Sequence, residues 1–289
     1  MSFYERVADF SPGVDQRASA RAARIRASIH WGEADLAAGR YRKAVERADR
    51  AISIAGGAGR PDAADALALR EEALARGTVR VAVAPIWCSN ETAETLPEAF
   101  LQALNDELEL AHWSEPPLFV AVADPVLVRQ RMRQAGYLRS RMGVWEASAV
   151  GRSVDANLVV TGEILEFAVT EEDVQRAYHS AQTVDDVDTT YLVRRGKRRY
   201  RLRAAYTVVD AERSSGQAKR SFEVFELHSF RRADYHRDYN ELKLSRSQRQ
   251  LFDPQREQEE REEVERHLIQ KASRQFADRV YGEVLSHVH

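Results

Sequence analysis

The sequence predicts an α+β protein: a mixed β-sheet covered by helices and preceded by a short three-helix module. Three observations carry that prediction. Over the first 76 residues apolar positions recur at steps of three and four, the period of an amphipathic helix. From Thr78 onward, short β-branched runs alternate with helical patterns. Residues 254–288 then read as one long helix opened by Asp253-Pro254.

In the first helix, spanning Gln16 to Ala38, the residues Ala18, Ala22, Ile25, Ile29, Gly32 and Leu36 form one stripe. After a turn at Gly39, the stretch from Tyr41 to Ala55 repeats the pattern with Tyr41, Ala44, Val45, Ala48, Ala51 and Ile52. Stripes this rich in alanine and glycine let two helix axes approach closely. Gly56 to Pro61 breaks the chain, and Asp62 and Asp65 sit where a helix N-terminus favours negative charge, so a third helix runs to about Arg76. The hairpin resembles a single tetratricopeptide repeat, with Gly32, Gly39, Tyr41, Ala44 and Ala51 at the small and aromatic signature positions. Trp31 and Asp35 depart from that pattern. A helical cap on the next domain and a peptide-binding groove are both open readings of residues 1–76.

The second domain, 77–289, begins with a strand through Val79, Val81, Val83 and Ile86. Thr95-Leu96-Pro97-Glu98 has the form of a capping box with proline in the first turn. The helix it opens buries Phe100, Leu101, Leu104, Leu108 and Ala111 and stops at Pro116-Pro117. Leu118 to Val122 reads as a second strand. Asp124-Pro125 caps a helix that carries Val126, Val128 and Met132 toward Gly136, and a shorter helix lies near Glu146 to Val154. Asn157 to Ile164 is apolar enough for a central strand. The strands near Val79, Val120 and Val159 are expected side by side, with helices across one face.

An excursion over 170–203 follows. Tyr191 to Arg203 reads as a β-hairpin turning at Gly196, with Tyr200, Leu202, Ala204, Tyr206 and Val208 on one face and Arg199, Arg201 and Arg203 on the other. Arg194, Arg195, Lys197 and Arg198 enlarge the basic patch, and the acids Glu171, Glu172, Asp173, Asp185, Asp186 and Asp188 lie just upstream. Self-pairing within one molecule or across a dimer, protein or polymer docking, and nucleic-acid stacking are the three readings. Ser221 to Leu227 is the returning strand. His228, Asp234, His236 and Asp238 then offer metal-ligand side chains at spacings that suit only a strand, and a solvated connector is the expectation. The last helix starts with a charged stretch that has no apolar face and stands in solvent. From Val264 it buries Leu268, Ala272, Phe276, Val280 and Val284.

The 289 residues are 44% hydrophobic and carry a formal charge of -2, which argues against a protein built to coat nucleic acid. Cys88 is the only cysteine, so neither an internal disulfide nor a cysteine-rich zinc site can form. No apolar run approaches the roughly 18 residues of a membrane span, and the first ten residues have no apolar signal core, so the chain as written is expected to be soluble. Phosphate-binding, dinucleotide, zinc-protease and serine-hydrolase motifs are missing, and Cys88 reads as an inert thiol. The expectation is no catalysis, no cofactor and no metal.

The Val-rich strand ends in Ala84-Pro85, and the next strand leads into Asp124-x-x-Leu127-Val128. Ala149-Val150-Gly151 is followed by Asp155 through Gly162, and Val209-Asp210-Ala211 by Ser215-Gly216. This ordered series, closed by the long terminal helix, resembles the CsgG-like superfamily over roughly Thr78 to His289. That group includes the curli secretion channel and the lipoprotein activators of penicillin-binding proteins. The resemblance implies a periplasmic, outer-membrane-associated accessory protein with an envelope protein partner. It also implies a lipidated N-terminal cysteine in whose place Met1 stands. Partner contact is expected through Arg195, Arg198, Arg199, Arg201 and Arg203 on the excursion and through Tyr235 and Tyr239 beyond it. An oligomeric secretion component is the alternative. Channel members span the membrane with this excursion, but here its charges would cost about 2 to 4 kcal/mol per arginine or lysine at the bilayer midplane, so a pore is not expected.

Overall fold

A computed structural model of the protein describes residues 14–110, 116–137, 141–216 and 218–287. Among these, α-helices and a mixed sheet of seven strands follow an N-terminal helical region, the α+β class expected. By internal contacts the chain divides into two compact units, one of residues 14–80, 117–121 and 282–287, the other of 81–116 and 122–281.

The first unit holds α1 (Val14–Ala37), α2 (Tyr41–Ala55) and α3 (Ala64–Gly77). Of the expected small-residue stripes, Ala44, Ala48 and Ala51 are fully buried, joined by Ala66 and Ala73 of α3, whereas Ala18 is exposed. Asp35, which breaks the repeat signature, is buried, and Arg40 holds its carboxylate at 2.7 Å across the turn between α1 and α2. Phe119 and Leu285 complete this core from later in the chain.

The sheet is built on β1 (Val79–Val83), β3 (Val120–Val122), β4 (Leu158–Gln182) and β5 (Asp188–Asp210), in the order β3-β1-β4-β5. β2 (Trp87–Cys88) also pairs with β4, and β6 (Ser215–Gly216) and β7 (Arg220–Asp234) pair with β5. β1 runs parallel to β4, with Val81 opposite Leu158 and Val83 opposite Val160, while β4 and β5 are antiparallel along their whole length.

Helices cover both faces of the sheet, not one. Val159 and Val209 share a face and pack against α6 (Pro125–Gln134) and α7 (Val144–Ser153). Tyr206 is an odd number of residues from Val209 and so points the other way. Its ring meets Phe276 of α9 (Pro254–Leu285) edge-on at 5.7 Å. On that second face α5 (Glu98–Leu110) packs Phe100 against Phe167 at 5.0 Å. The reason lies in β4 itself: Leu158, Val159 and Val160 are buried in succession, the mark of a strand covered twice. Several expected starts are present: the Asp124 side chain accepts from the Val126 N–H at 2.9 Å, and Asp253 does the same for Gln255 at the start of α9. Two short helices not anticipated, α4 (Asn90–Ala93) and α8 (Arg246–Arg249), are capped by Ser89 and Ser245, and Ala111 lies outside the described residues.

Gly196 is not a turn. It sits inside β5 opposite Phe230, and the chain reverses at Thr183–Val187, where the Thr183 N–H donates to the Val187 carbonyl at 2.9 Å and Asp186 adopts φ 62°. The excursion is therefore the outer half of two strands of 25 and 23 residues, each about 80 Å long at 3.3 to 3.4 Å per residue. A bulge in β4 between Glu172 and Gln175 brings the Glu172 carbonyl within 2.9 Å of where a Gly196 Cβ would stand. Glycine serves close approach here, not chain reversal. β7 likewise runs to Asp234, seven residues past the expected end at Leu227, because Phe230 and Ala233 find buried places on it.

Candidate functional site

Beyond Phe167, the strands β4, β5 and β7 continue as a three-stranded ribbon. Strand alternation puts Arg198 on the Tyr200 face of β5 and Arg195, Arg199, Arg201 and Arg203 on the other. On the Tyr200 face, the first turns of α9 do not stand free in solvent. The Arg198 guanidinium donates to Glu171 at 3.1 Å and to Glu257 at 2.6 Å, and Arg232 reaches the same two carboxylates at 3.4 and 2.8 Å. Two cations and two anions thus close a ring that ties β4, β5, β7 and α9 together. Phe230 lies beneath it, with the Arg198 and Arg232 guanidinium carbons 4.7 and 5.6 Å from its ring centre. Burial raises the Glu257 pKa, but the hydrogen bonds and charges of Arg198 and Arg232 overcome that effect and hold the carboxyl below its ordinary value.

The other face of the ribbon is open. Arg199 pairs with Glu172 at 2.8 Å, Arg201 with Glu166, Arg203 with the same Glu166 at 3.6 Å, and Lys197 with Asp173 at 3.7 Å. Arg195 donates to the neutral Gln175 at 2.8 Å. The basic patch is therefore answered mainly within its own molecule. Between these pairs, opposite Arg201 and Arg199, Phe225 and Leu227 remain 43% and 45% exposed. Lys271 guards the adjacent edge by donating to the Phe225 carbonyl at 2.8 Å.

Tyr235 and Tyr239 pack into a small core with Tyr191, Val193 and Leu242. Tyr239 stacks on Phe252 at 5.0 Å, so its ring face serves the fold. The four side chains with metal-ligand chemistry are dispersed: His228 faces Glu260 at 3.5 Å, Asp234 binds Arg194 at 2.9 Å, and Asp238 accepts from the Asn240 N–H. His236 stacks edge-on against Tyr235.

A cleft of about 780 Å³ in the second unit has no counterpart in the sequence reading. Its floor is the small-residue stretch where β4 and β5 run out past α7: Thr161, Glu163, Ala205 and Thr207. Tyr137, Met142 and Val144, leading from α6 into α7, form one wall, and Trp87 stands beside Glu163, its partner in the β2–β4 pairing. The cleft opens at the carboxyl end of β1. There the chain leaves β1 for α5 on one face and leaves the neighbouring β3 for α6 on the other, the switch point at which open α/β sheets form crevices. Glu163 is a part-buried charge of the floor, its side chain 16% exposed, and both Lys219 and Arg141 pair with it, the latter at 3.9 Å. Cys88 lines the cleft too, and burial pushes its thiol above the ordinary value, away from the reactive thiolate. These residues come from four separate elements and two connecting segments, and no local spacing announces them.

No protein-family model and no curated protein matches the chain. Among solved structures it is similar to the hypothetical protein CT253 from Chlamydia trachomatis, at 16% identity over 51% of this chain and 72% of that one, with a TM-score of 0.30. It is also similar to the lipoprotein GNA1162 from Neisseria meningitidis, at 9% identity over 52% and 83%, TM-score 0.29. A minor lipoprotein from Acinetobacter baumannii aligns at 9% identity over 71% and 91%, TM-score 0.26.

Proposed function

We propose that this is a non-enzymatic accessory protein of the bacterial cell envelope that works by binding another protein through the open face of the ribbon. The observation that carries this reading is the exposure of Phe225 and Leu227 among arginines whose charges are already met by Glu166 and Glu172. A face so neutralised gains little from a polyanion, and its exposed apolar residues gain most from a partner that covers them. A periplasmic address, attachment to the outer membrane and descent from a lipoprotein rest on the resemblance of Thr78 to His289 to the CsgG-like superfamily. The helical hairpin of α1 and α2, with its likeness to a tetratricopeptide repeat, is a second protein-binding surface in this reading. Exposed Trp31 lies there beside Arg40, Lys43 and Arg47 in a shallow groove.

The test is site-specific photo-crosslinking in the native host. A photoreactive residue at Phe225 or Leu227 should yield one discrete adduct in the envelope fraction, and the same residue at exposed Glu259 should not. Identical patterns from all three positions would remove the basis for the reading. An oligomeric secretion component is the second reading, favoured by the outer edge of β4, along which no strand pairs between Ala168 and Ala181 among the described residues. Mass measurement with and without detergent separates the two, since a ring gives a large assembly.

A further inference from the structure

We propose that the cleft at the carboxyl end of β1 binds a small amphipathic acid, its anionic head held by Arg141 and Lys219 and its apolar body by Trp87, Tyr137 and Met142. Size is the first ground: about 780 Å³ lies inside the range of roughly 300 to 1,000 Å³ typical of small-ligand sites. Charge is the second. Arg129 is neutralised by Glu109, and Glu98 at the far lip lies in the first turn of α5, where the helix dipole offsets a carboxylate. Arg141 and Lys219, with side chains 64% and 40% exposed at the mouth of the cleft, share the single carboxylate of Glu163 on its floor. Two cations on one anion leave a positive charge to be answered, beside a half-buried tryptophan, tyrosine and methionine that have apolar surface to cover. A ligand with one negative group and an apolar body satisfies both demands at once. A cation or an uncharged polar molecule satisfies neither.

Cys88, the only cysteine of the chain, lines the same cleft and reports its occupancy. The experiment follows alkylation of Cys88 by N-ethylmaleimide in the full chain with decanoate, with decylamine as the charge-reversed probe, or with phosphatidylglycerol vesicles. Decanoate is expected to slow alkylation in a saturable way and to bind at one site by calorimetry, and decylamine to bind at least roughly fivefold more weakly. Lys219→Glu should weaken decanoate about fivefold, while Glu163→Gln, which frees both cations, should tighten it by a similar factor. A structural role for Glu163 alone would predict no tightening. Unprotected Cys88 at saturating decanoate, equal protection by decylamine, or binding to vesicles without protection by the free acid would each overturn the proposal.

Discussion

The Arg198 guanidinium and the Glu257 carboxylate meet at 2.6 Å, joining the middle of β5 to the first turn of α9. The two partners differ in what they stand to lose. Arg198 has a side chain only 12% exposed and stacks on Phe230, whereas Glu257 is 41% exposed and has Arg232 as a second cation. Replacing Arg198 by Gln leaves Glu171 and Glu257 with one guanidinium between them and should cost about 2 kcal/mol. Glu257→Gln, in a better solvated position, should cost under about 1 kcal/mol. Urea unfolding of both single variants and the double variant measures the coupling, which should be at least about 0.5 kcal/mol if the ring acts as a unit.

The same ring sets a pH dependence. Because the folded-state pKa of Glu257 lies below its ordinary value of 4.5, the folded protein binds this proton less readily than the unfolded chain. The stabilisation is therefore complete above that value and is lost as pH falls through the lower, folded pKa. Urea midpoints measured from about pH 6 down to about pH 3 should show wild type ahead of Glu257→Gln at the upper end and the gap closing in acid. A gap that widened in acid would reverse the sign.

Gly151 shows two residue-level effects in opposition. It lies in α7, where alanine would add about 1 kcal/mol of helix propensity. Its Cβ would however stand 2.6 Å from Val159 Cγ2 in β4 and 2.7 Å from the Ala211 Cβ in the turn after β5. Overpacking of this kind costs about 1 to 3 kcal/mol, so Gly151→Ala should lower the thermal midpoint, against the rule for exposed helices. A raised midpoint would mean that α7 can lift from the sheet at little cost.

Gly196 marks where reading from sequence runs out. The helices of ten residues or more, the α9 stripe from Leu268 to Val284 and the buried Tyr200 to Val208 face were legible, because each rests on a period of 3.6 or 2 in neighbouring residues. A glycine flanked by two alternating arms looks the same whether it turns the chain or admits a neighbour's backbone, and the neighbour here is Glu172, 24 positions away. The cleft was illegible for the same reason, since Trp87, Tyr137, Glu163 and Lys219 meet only after the sheet has formed. Gly196→Ala should destabilise by about 1 kcal/mol or more, through contact with the Glu172 carbonyl and the Phe230 ring, where a glycine with open space and no positive φ would show less. Thermal denaturation of this variant beside Gly59→Ala, which has nothing within 4 Å and no positive φ, isolates the steric origin.

The open face of the ribbon also limits how strongly the chain can hold a polyanion. Arg199 and Lys197 each have a carboxylate of their own, while Arg201 and Arg203 share Glu166 and Arg195 has only the neutral Gln175. With Arg231 opposite Arg195, that leaves the equivalent of three unanswered cations, and Glu223 opposite Arg203 brings the excess down to about two. Each phosphate contact contributes a slope of about 0.7 to 0.9 in log affinity against log salt, so binding to single-stranded DNA should show a slope of no more than about 2. Affinity would then fall roughly tenfold between 50 and 200 mM salt, against the factor of about 10³ to 10⁵ for a dedicated nucleic-acid protein. Fluorescence anisotropy with a labelled oligonucleotide measures the slope directly. A value near 6, abolished by replacing Arg199, Arg201 and Arg203 with Glu, would mean that the ion pairs open for phosphate and that the face is an anion-binding surface after all.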